Sequence, residues 1–280
     1  MTDAKTDLQM RLISLGLFWL AEHINDVIAL ATKNRWSPQQ LIEHIIQQEM
    51  LDRDARGLQR RIARSRLGRF KPIADYDWNW PTSIEREAVE SALRLDFLPA
   101  ARNVVLVAPQ GLGKTMIAQN IAHHAMQAGH AVLFTTAAQM LLDLSAQDSA
   151  RALEMRLRHY CNISVLVCDE VGYLSYDNRN ADLLFQVVSR RYERKSTVLT
   201  TNLAFRDWNT VFPNAACTTA LIDRLVHRAD IIAIEGESYR KREAEEARNA
   251  RQSPAARVET EASAKSSKKT PKPSATNGQK

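Results

Sequence analysis

An α/β fold is predicted: a parallel sheet with helices on both faces, preceded by a small all-helical N-terminal domain. Three observations predict it. From Asn103 onward, short β-branched or apolar runs (Val104–Val107, Ala131–Thr135, Ser164–Cys168, Thr197–Thr200 and Ile231–Ile234) alternate with helical stretches such as Met116–Gln127 and Ala181–Tyr192. The first run leads directly into a glycine-bearing loop and then a helix. The first 70 residues carry only helical periodicity.

In that leading segment, Ser37-Pro38-Gln39-Gln40 is a capping box with proline at the first helical position, so the start of the helix is set chemically. Leu41, Ile42, Ile45, Ile46, Met50 and Leu51 follow at helical spacing, and Ala55, Leu58 and Ile62 continue the apolar line. Arg53, Arg56, Arg60 and Arg64 run about two residues out of phase with it, on the opposite face. With Arg61 they make a face of nearly pure arginine. A solvated surface needs only mixed charge, whereas guanidinium forks suit phosphate, so these five are the expected DNA contacts.

The 280 residues are 45% hydrophobic and 25% charged, ordinary for a globular chain, which excludes collagen-like, disulfide-scaffold and wholly disordered classes. Cys161, Cys168 and Cys217 show neither C-x-x-C spacing nor a Cys/His cluster and read as buried thiols of a reducing compartment. No apolar run approaches the roughly 20 residues needed to span a bilayer. The apolar stretch from Leu12 to Ala21 has Asp3 and Asp7 ahead of it and Glu22 after it, which argues for an amphipathic helix over a signal peptide. The expected location is cytoplasmic.

The net charge of +6 is unevenly laid out. Between Met50 and Lys71 stand eight basic residues against two acidic, and between Arg251 and Lys280 seven against two, so the remaining body is mildly acidic. Two basic patches on an acidic body point to an acidic polymer as partner. Beyond about Ala250 the chain turns to Ser, Lys, Pro, Thr and Ala, a composition that cannot bury a core. The expected division is 1–70 helical and DNA-binding, 71–102 linker and start of the nucleotide module, 103–250 nucleotide module, and 251–280 disordered basic tail. Within the junction, Lys71 to Pro81 holds Tyr76, Trp78 and Trp80 between prolines. Both a packed linker and the lining of a base pocket fit it.

The strongest chemical signal is Ala108-Pro109-Gln110-Gly111-Leu112-Gly113-Lys114-Thr115 between strand and helix. Gly111 and Gly113 let backbone amides close on phosphates at the positive end of the helix, and the residues from Gly111 through Leu112 to Met116 form the expected nucleotide cradle. Lys114 suits the β- and γ-phosphates of ATP, and the Thr115 hydroxyl suits Mg²⁺. Alanine stands at position 108, where such loops usually begin with glycine.

About 55 residues later, Val165-Leu166-Val167-Cys168-Asp169-Glu170 is an apolar strand ending in two carboxylates. Asp169 suits a Mg²⁺ ligand and Glu170 the group that polarises an attacking water. A Glu beside the Asp favours hydrolysis over phosphoryl transfer to a small molecule. Asn202, ending the run from Thr197, is placed to help hold that water. Arg224 and Arg240 are candidates to stabilise transition-state charge, although spacing alone does not separate such an arginine from a surface one.

With these residues in order, the chain resembles the IstB-like family of AAA+ ATPases, the transposition helpers of insertion sequences, related to DnaC-type helicase loaders. The resemblance runs from about Leu8 to Arg242. It includes the phosphate loop, Leu166 to Leu174, Ala181 to Gln186, Arg191 to Thr197, Thr201 to Trp208, Asp223 to His227 and Gly236 to Arg240. It implies an AAA+ sheet with ATP and Mg²⁺ held by Lys114, Thr115 and Asp169, and Glu170 as the hydrolytic carboxylate. Asn202 takes the place of the first sensor, Arg224 that of an arginine finger acting in trans, and Arg240 that of the second sensor. The implied partners are duplex DNA, further copies of the chain in a homo-oligomer, and a cognate transposase. A replicative helicase loader is the alternative, separated by a preference for single strands. A P-loop kinase lacks an acceptor pocket and lid in the sequence, and a non-hydrolysing scaffold does not need Glu170 and Asn202.

Overall fold

The computed structural model describes residues 7–173, 175–213, 215–239, 241–242 and 248. Three helices open it: α1 (Asp7–Ser14), α2 (Phe18–Asn34) and α3 (Pro38–Ser65). The capping box that starts α3 is formed: the Ser37 hydroxyl accepts from the Gln40 amide, and the Gln40 side chain accepts from the Ser37 amide. Arg66 closes the helix in the left-handed region. Inside this unit Glu49 of α3 is buried, and its Oε1 accepts the Leu20 amide in the first turn of α2 at 2.8 Å. That is a side-chain cap supplied from another helix. Trp19 and Trp36 pack on His44 around it.

The apolar line of α3 does not become a buried seam. Ile42, Ile46, Met50 and Leu51 are each more than half exposed, because α2 packs on a different side of the helix, the side of Glu49. Periodicity marks an apolar face but does not state that a neighbour covers it. The second half of α3 lies instead against the sheet domain. Arg61 Nε donates to the Met126 carbonyl at 2.8 Å, and Ser65 and Leu67 are buried beside it.

The sheet domain follows as β1 (Ser83–Ile84), α4 (Arg86–Leu93), β2 (Asn103–Val107), α5 (Lys114–Gln127), β3 (Val132–Thr136), α6 (Ala137–Ser145), α7 (Ala150–Asn162), β4 (Val165–Val171), α8 (Asn178–Arg191), β5 (Ser196–Thr201), α9 (Ala215–Val226) and β6 (Ala229–Glu235). The strand order is β1-β6-β2-β5-β4-β3. All neighbours are parallel except β1, which runs antiparallel to β6. The central strands are covered on both faces, so β2 and the start of β4 read as apolar runs where a half-buried strand would alternate, and β5 is buried throughout although four of its six side chains carry hydroxyls. One core packs α6 to α9 on the sheet and the other packs α4 and α5. The segment 71–102 enters this second core through Val89, Ala92 and Phe97.

Connections from β2 lead to one side of the sheet, toward β3, while β5 connects through α9 to β6 on the other side. The carboxyl ends of β2 and β5 therefore border a topological switch point, where open parallel sheets hold their ligands.

Candidate nucleotide-binding site

The loop between β2 and α5 sits at that switch point. Gly111 and Gly113 take φ of 84° and 82°, values that a side chain makes costly. The space is closed as well. A Cβ on Gly111 would lie 2.1 Å from Ser238 Oγ, and one on Gly113 would lie 2.5 Å from the Tyr76 ring. Lys114 is the first residue of α5, a helix of 14 residues whose opening amides and dipole face the loop. Its Nζ donates to the carbonyls of Ala108 and Pro109 at 2.7 and 2.8 Å, so the ammonium lies folded over the loop.

Two strand ends complete the floor. The Thr115 hydroxyl donates to the Asp169 carboxylate, at 3.0 and 3.2 Å from its two oxygens, and the buried Thr200 hydroxyl donates to Asp169 Oδ1. Hard oxygen atoms of one hydroxyl and one carboxylate, gathered beside the loop, fit Mg²⁺, which takes few protein ligands and completes its shell with water and phosphate. Glu170 follows Asp169 but is exposed, with its backbone at φ 61°. Next to them, burial and then Asp169 push the Cys168 thiol up to about 12, so Cys168 is an inert part of the strand.

The cleft so formed is about 510 Å³, and it is lined by Gly111 through Met116, Glu170 and Asn202 together with junction residues that include Tyr76 and Trp80. The junction is thus both a packed linker and a wall of the pocket. Asn120 in the middle of α5 holds it: Oδ1 accepts the Ile73 amide and Nδ2 donates to the Lys71 carbonyl. Farther on, the Tyr76 hydroxyl donates to the Leu112 carbonyl at 3.1 Å. Burial, and then Asp77, push that phenol up to about 12, so it remains a donor. From the other side, the Tyr239 amide donates to the Gly111 carbonyl at 3.1 Å, and the Trp80 indole donates to the Glu237 carbonyl. The phosphate loop is held between two segments more than 150 residues apart in sequence.

The sequence-predicted arginines are placed less uniformly. Arg224 does not line the cleft; its guanidinium lies 4.5 Å from the Phe185 ring centroid on α8. Arg240 and the basic tail lie outside the described residues. On α3, Arg53, Arg60 and Arg64 are exposed, whereas Arg56 pairs with Asp52 at 2.7 Å and lies over Phe18, and Arg61 is taken up by Met126. Gln110, Gln119 and Tyr173 also line the cleft; Gln110 stands in the phosphate-loop motif and Tyr173 in the Leu166 to Leu174 segment, but the sequence assigned none of the three a role. Thr200 is a second such case, since its importance depends on which strand lies beside it.

Comparison with known proteins places this geometry. The profile of the IstB-like ATP binding protein family matches residues 10–247. The chain belongs to that family. It is 33% identical over 237 residues to the ATP-binding protein named for insertion sequence IS21 in Pseudomonas aeruginosa, covering 85% of this chain and 89% of that one. It is 31% identical over 243 residues to the corresponding protein of insertion sequence IS232 in Bacillus thuringiensis subsp. berliner, covering 86% and 96%. Among solved structures, DnaI superposes with a TM-score of 0.50 at 19% identity over 60% of this chain and 89% of that one, a likeness of fold. The sheet thus has the fold of that structure, and the family is one of ATP-binding proteins. Among the described residues no helix is long and apolar enough to cross a membrane.

ATP binding gives a direct check on the closed loop. Gly113→Ala must hold a left-handed conformation, which costs about 1–2 kcal/mol in itself, and must displace the Tyr76 ring. The expected result is ATP affinity lower by about tenfold or more, measured by titration with a fluorescent ATP analogue. An affinity within twofold of the parent would mean that Tyr76 moves away freely.

Proposed function

We propose that this chain is a cytoplasmic, ATP-hydrolysing transposition helper that assembles as a homo-oligomer on duplex DNA and recruits or stimulates a cognate transposase. The observation that carries the hydrolytic part is the convergence of Thr115, Asp169, Glu170 and Asn202 on one cleft with the phosphate loop. Lys114 leaves the loop carbonyls for the β- and γ-phosphates, and Thr115 and Asp169 hold Mg²⁺. The ion supplies charge neutralisation on the phosphate oxygens. Glu170 accepts a proton from the water whose oxygen attacks the γ-phosphorus, Asn202 orients that water, and ADP departs as the bridging bond breaks. Residues Gly111, Leu112, Gly113 and Met116 cradle the nucleotide, and Arg240 reads it as second sensor.

The assembly part rests on Arg224. It stands away from the cleft of its own chain, as an arginine finger serving a neighbouring subunit must. Exposed Arg53, Arg60 and Arg64 supply phosphate contacts to duplex DNA, with Arg56 and Arg61 flanking them on the same helix. Membership of a family whose relatives are named for insertion sequences supports a transposase as the partner.

The test is ATP turnover with and without duplex DNA, with particle size followed by light scattering in the same samples. Duplex-stimulated turnover together with ATP-driven growth of the particles is the expected result. Turnover indifferent to DNA in a protein that stays monomeric refutes the assembly reading, and stimulation by single strands alone favours a helicase loader.

A further inference from the structure

Asp169 and Glu170, adjacent in sequence, are asked to do different things: one faces the floor of the cleft and the other its open side. In a regular strand neighbouring side chains do point to opposite faces, but Asp169 to Val171 is not regular. Pairing between β4 and β5 runs in register from Val165↔Ser196 to Cys168↔Leu199 and resumes at Val171↔Thr201, so Asp169 and Glu170 of β4 stand against Thr200 alone and β4 carries one extra residue. The bulge is made by Glu170 at φ 61°, a conformation that a glutamate occupies at a cost of about 1–3 kcal/mol.

Thr200 faces that bulge, with no exposed surface, and its hydroxyl is used in both directions. Oγ1 accepts the Glu170 amide at 2.9 Å and donates its proton to Asp169 Oδ1. A hydroxyl has one proton to give and lone pairs to receive, so the two bonds are compatible and fix its rotor. We propose that Thr200 is the positioning residue of the hydrolytic site: one buried hydroxyl sets the orientation of the Asp169 carboxylate and holds the strained peptide that aims Glu170 into the cleft. Thr115, the other hydroxyl on Asp169, belongs to the phosphate loop side and is required there for the metal. Thr200 sits at the cleft end of β5, two residues before Asn202, so the strand that leads to the water-orienting amide also carries the anchor of both carboxylates.

This inference rests on the hydrolytic reading above. Its test compares Thr200→Val, which keeps the shape but loses the hydroxyl, with Thr200→Ser, which keeps the hydroxyl but loses a methyl. Thr200→Ala replaces Thr200→Val if the latter does not fold. A fluorescent ATP analogue is titrated with and without Mg²⁺, and ATP turnover is measured on the same preparations. Thr200→Val is expected to bind ATP without Mg²⁺ within about threefold of the parent, because the phosphate loop is untouched, and to lose most of the affinity that Mg²⁺ adds. Its kcat is expected to fall by about 30-fold with KM changed far less, and Thr200→Ser to recover both properties to within about threefold. Parent-like Mg²⁺ dependence and kcat in Thr200→Val overturn the proposal. So does equal loss in Thr200→Val and Thr200→Ser with Mg²⁺-free binding also gone, which marks Thr200 as core packing only. If the parent chain itself shows no turnover, the hydrolytic reading fails, while the Mg²⁺-dependent difference between Thr200→Val and Thr200→Ser still decides the role of Thr200.

Discussion

Replacing Glu170 by glutamine is expected to lower ATP turnover by about 100-fold or more while leaving ATP binding within about threefold of the parent. The change removes one proton-accepting oxygen and nothing that holds the cleft together. The Glu170 side chain is exposed, and its backbone bond to Thr200 does not depend on the side chain. Glutamine has nearly the same shape and suffers the same cost at φ 61°, so neither the bulge nor Asp169 has reason to move. An ATP-bound chain that cannot complete hydrolysis should accumulate, and any particle that forms on DNA with ATP should then persist instead of dissolving. Turnover reduced by less than threefold would remove Glu170 from its role as base. A loss of binding equal to the loss of turnover would instead make it part of the nucleotide cradle.

The phosphate loop and the Asp169-Glu170 pair were legible in the sequence because they are local. Strand, loop and helix lie within about two dozen residues, and the glycines stand where the backbone must turn and where Ser238 and Tyr76 leave no room. The central strands were legible for a related reason, since strands buried on both faces read as β-branched or apolar runs. What escaped depends on neighbours that no local pattern names. β1 is two residues long and exists because β6, some 150 residues away, offers an edge. Thr200 reads as one threonine among several in a strand until the register shift brings Glu170 over it. The junction fitted either a linker or a pocket wall, and the fold makes it both because Asn120 ties the backbone of Lys71 and Ile73 to α5 and Tyr76 and Trp80 line the cleft. On α3 the out-of-phase arginines looked alike. Only the docking of that helix on α5 separates Arg61, engaged with Met126, from Arg60 and Arg64, which stay exposed.

Arg191 opens a family-like segment in the sequence, but nothing local marked it as buried, and the largest stability effect is expected there. As the last residue of a polar-faced helix it reads as surface charge, yet only 1% of it is exposed. Among the described residues no carboxylate pairs with it. Instead Nη1 donates to the carbonyls of Tyr160, Cys161 and Ile163, Nη2 to those of Ser196 and Ser164, and Nε to the Thr197 hydroxyl. Tyr160 and Cys161 belong to the last turn of α7, whose carbonyls have no partner within the helix and whose dipole attracts a cation. Ser164 leads into β4, and Ser196 and Thr197 begin β5. One guanidinium therefore joins the end of α7 and the end of α8 to the starts of the two strands whose far ends carry Asp169, Glu170, Thr200 and Asn202. Burial pushes its pKa down to about 10, which still leaves it charged at neutral pH. Arg191→Met fills much of the volume but leaves the carbonyls buried without donors. The expected loss is about 4 kcal/mol, or roughly 10 °C in thermal unfolding for a domain of this size. Arg191→Lys restores the charge but presents its three protons from a single nitrogen, which cannot reach a spread of carbonyls served by a planar fork, and less than half of the loss should return. An unfolding temperature within 2 °C of the parent for Arg191→Met would mean that water takes over those carbonyls and that the cluster does not hold β4 and β5 in place.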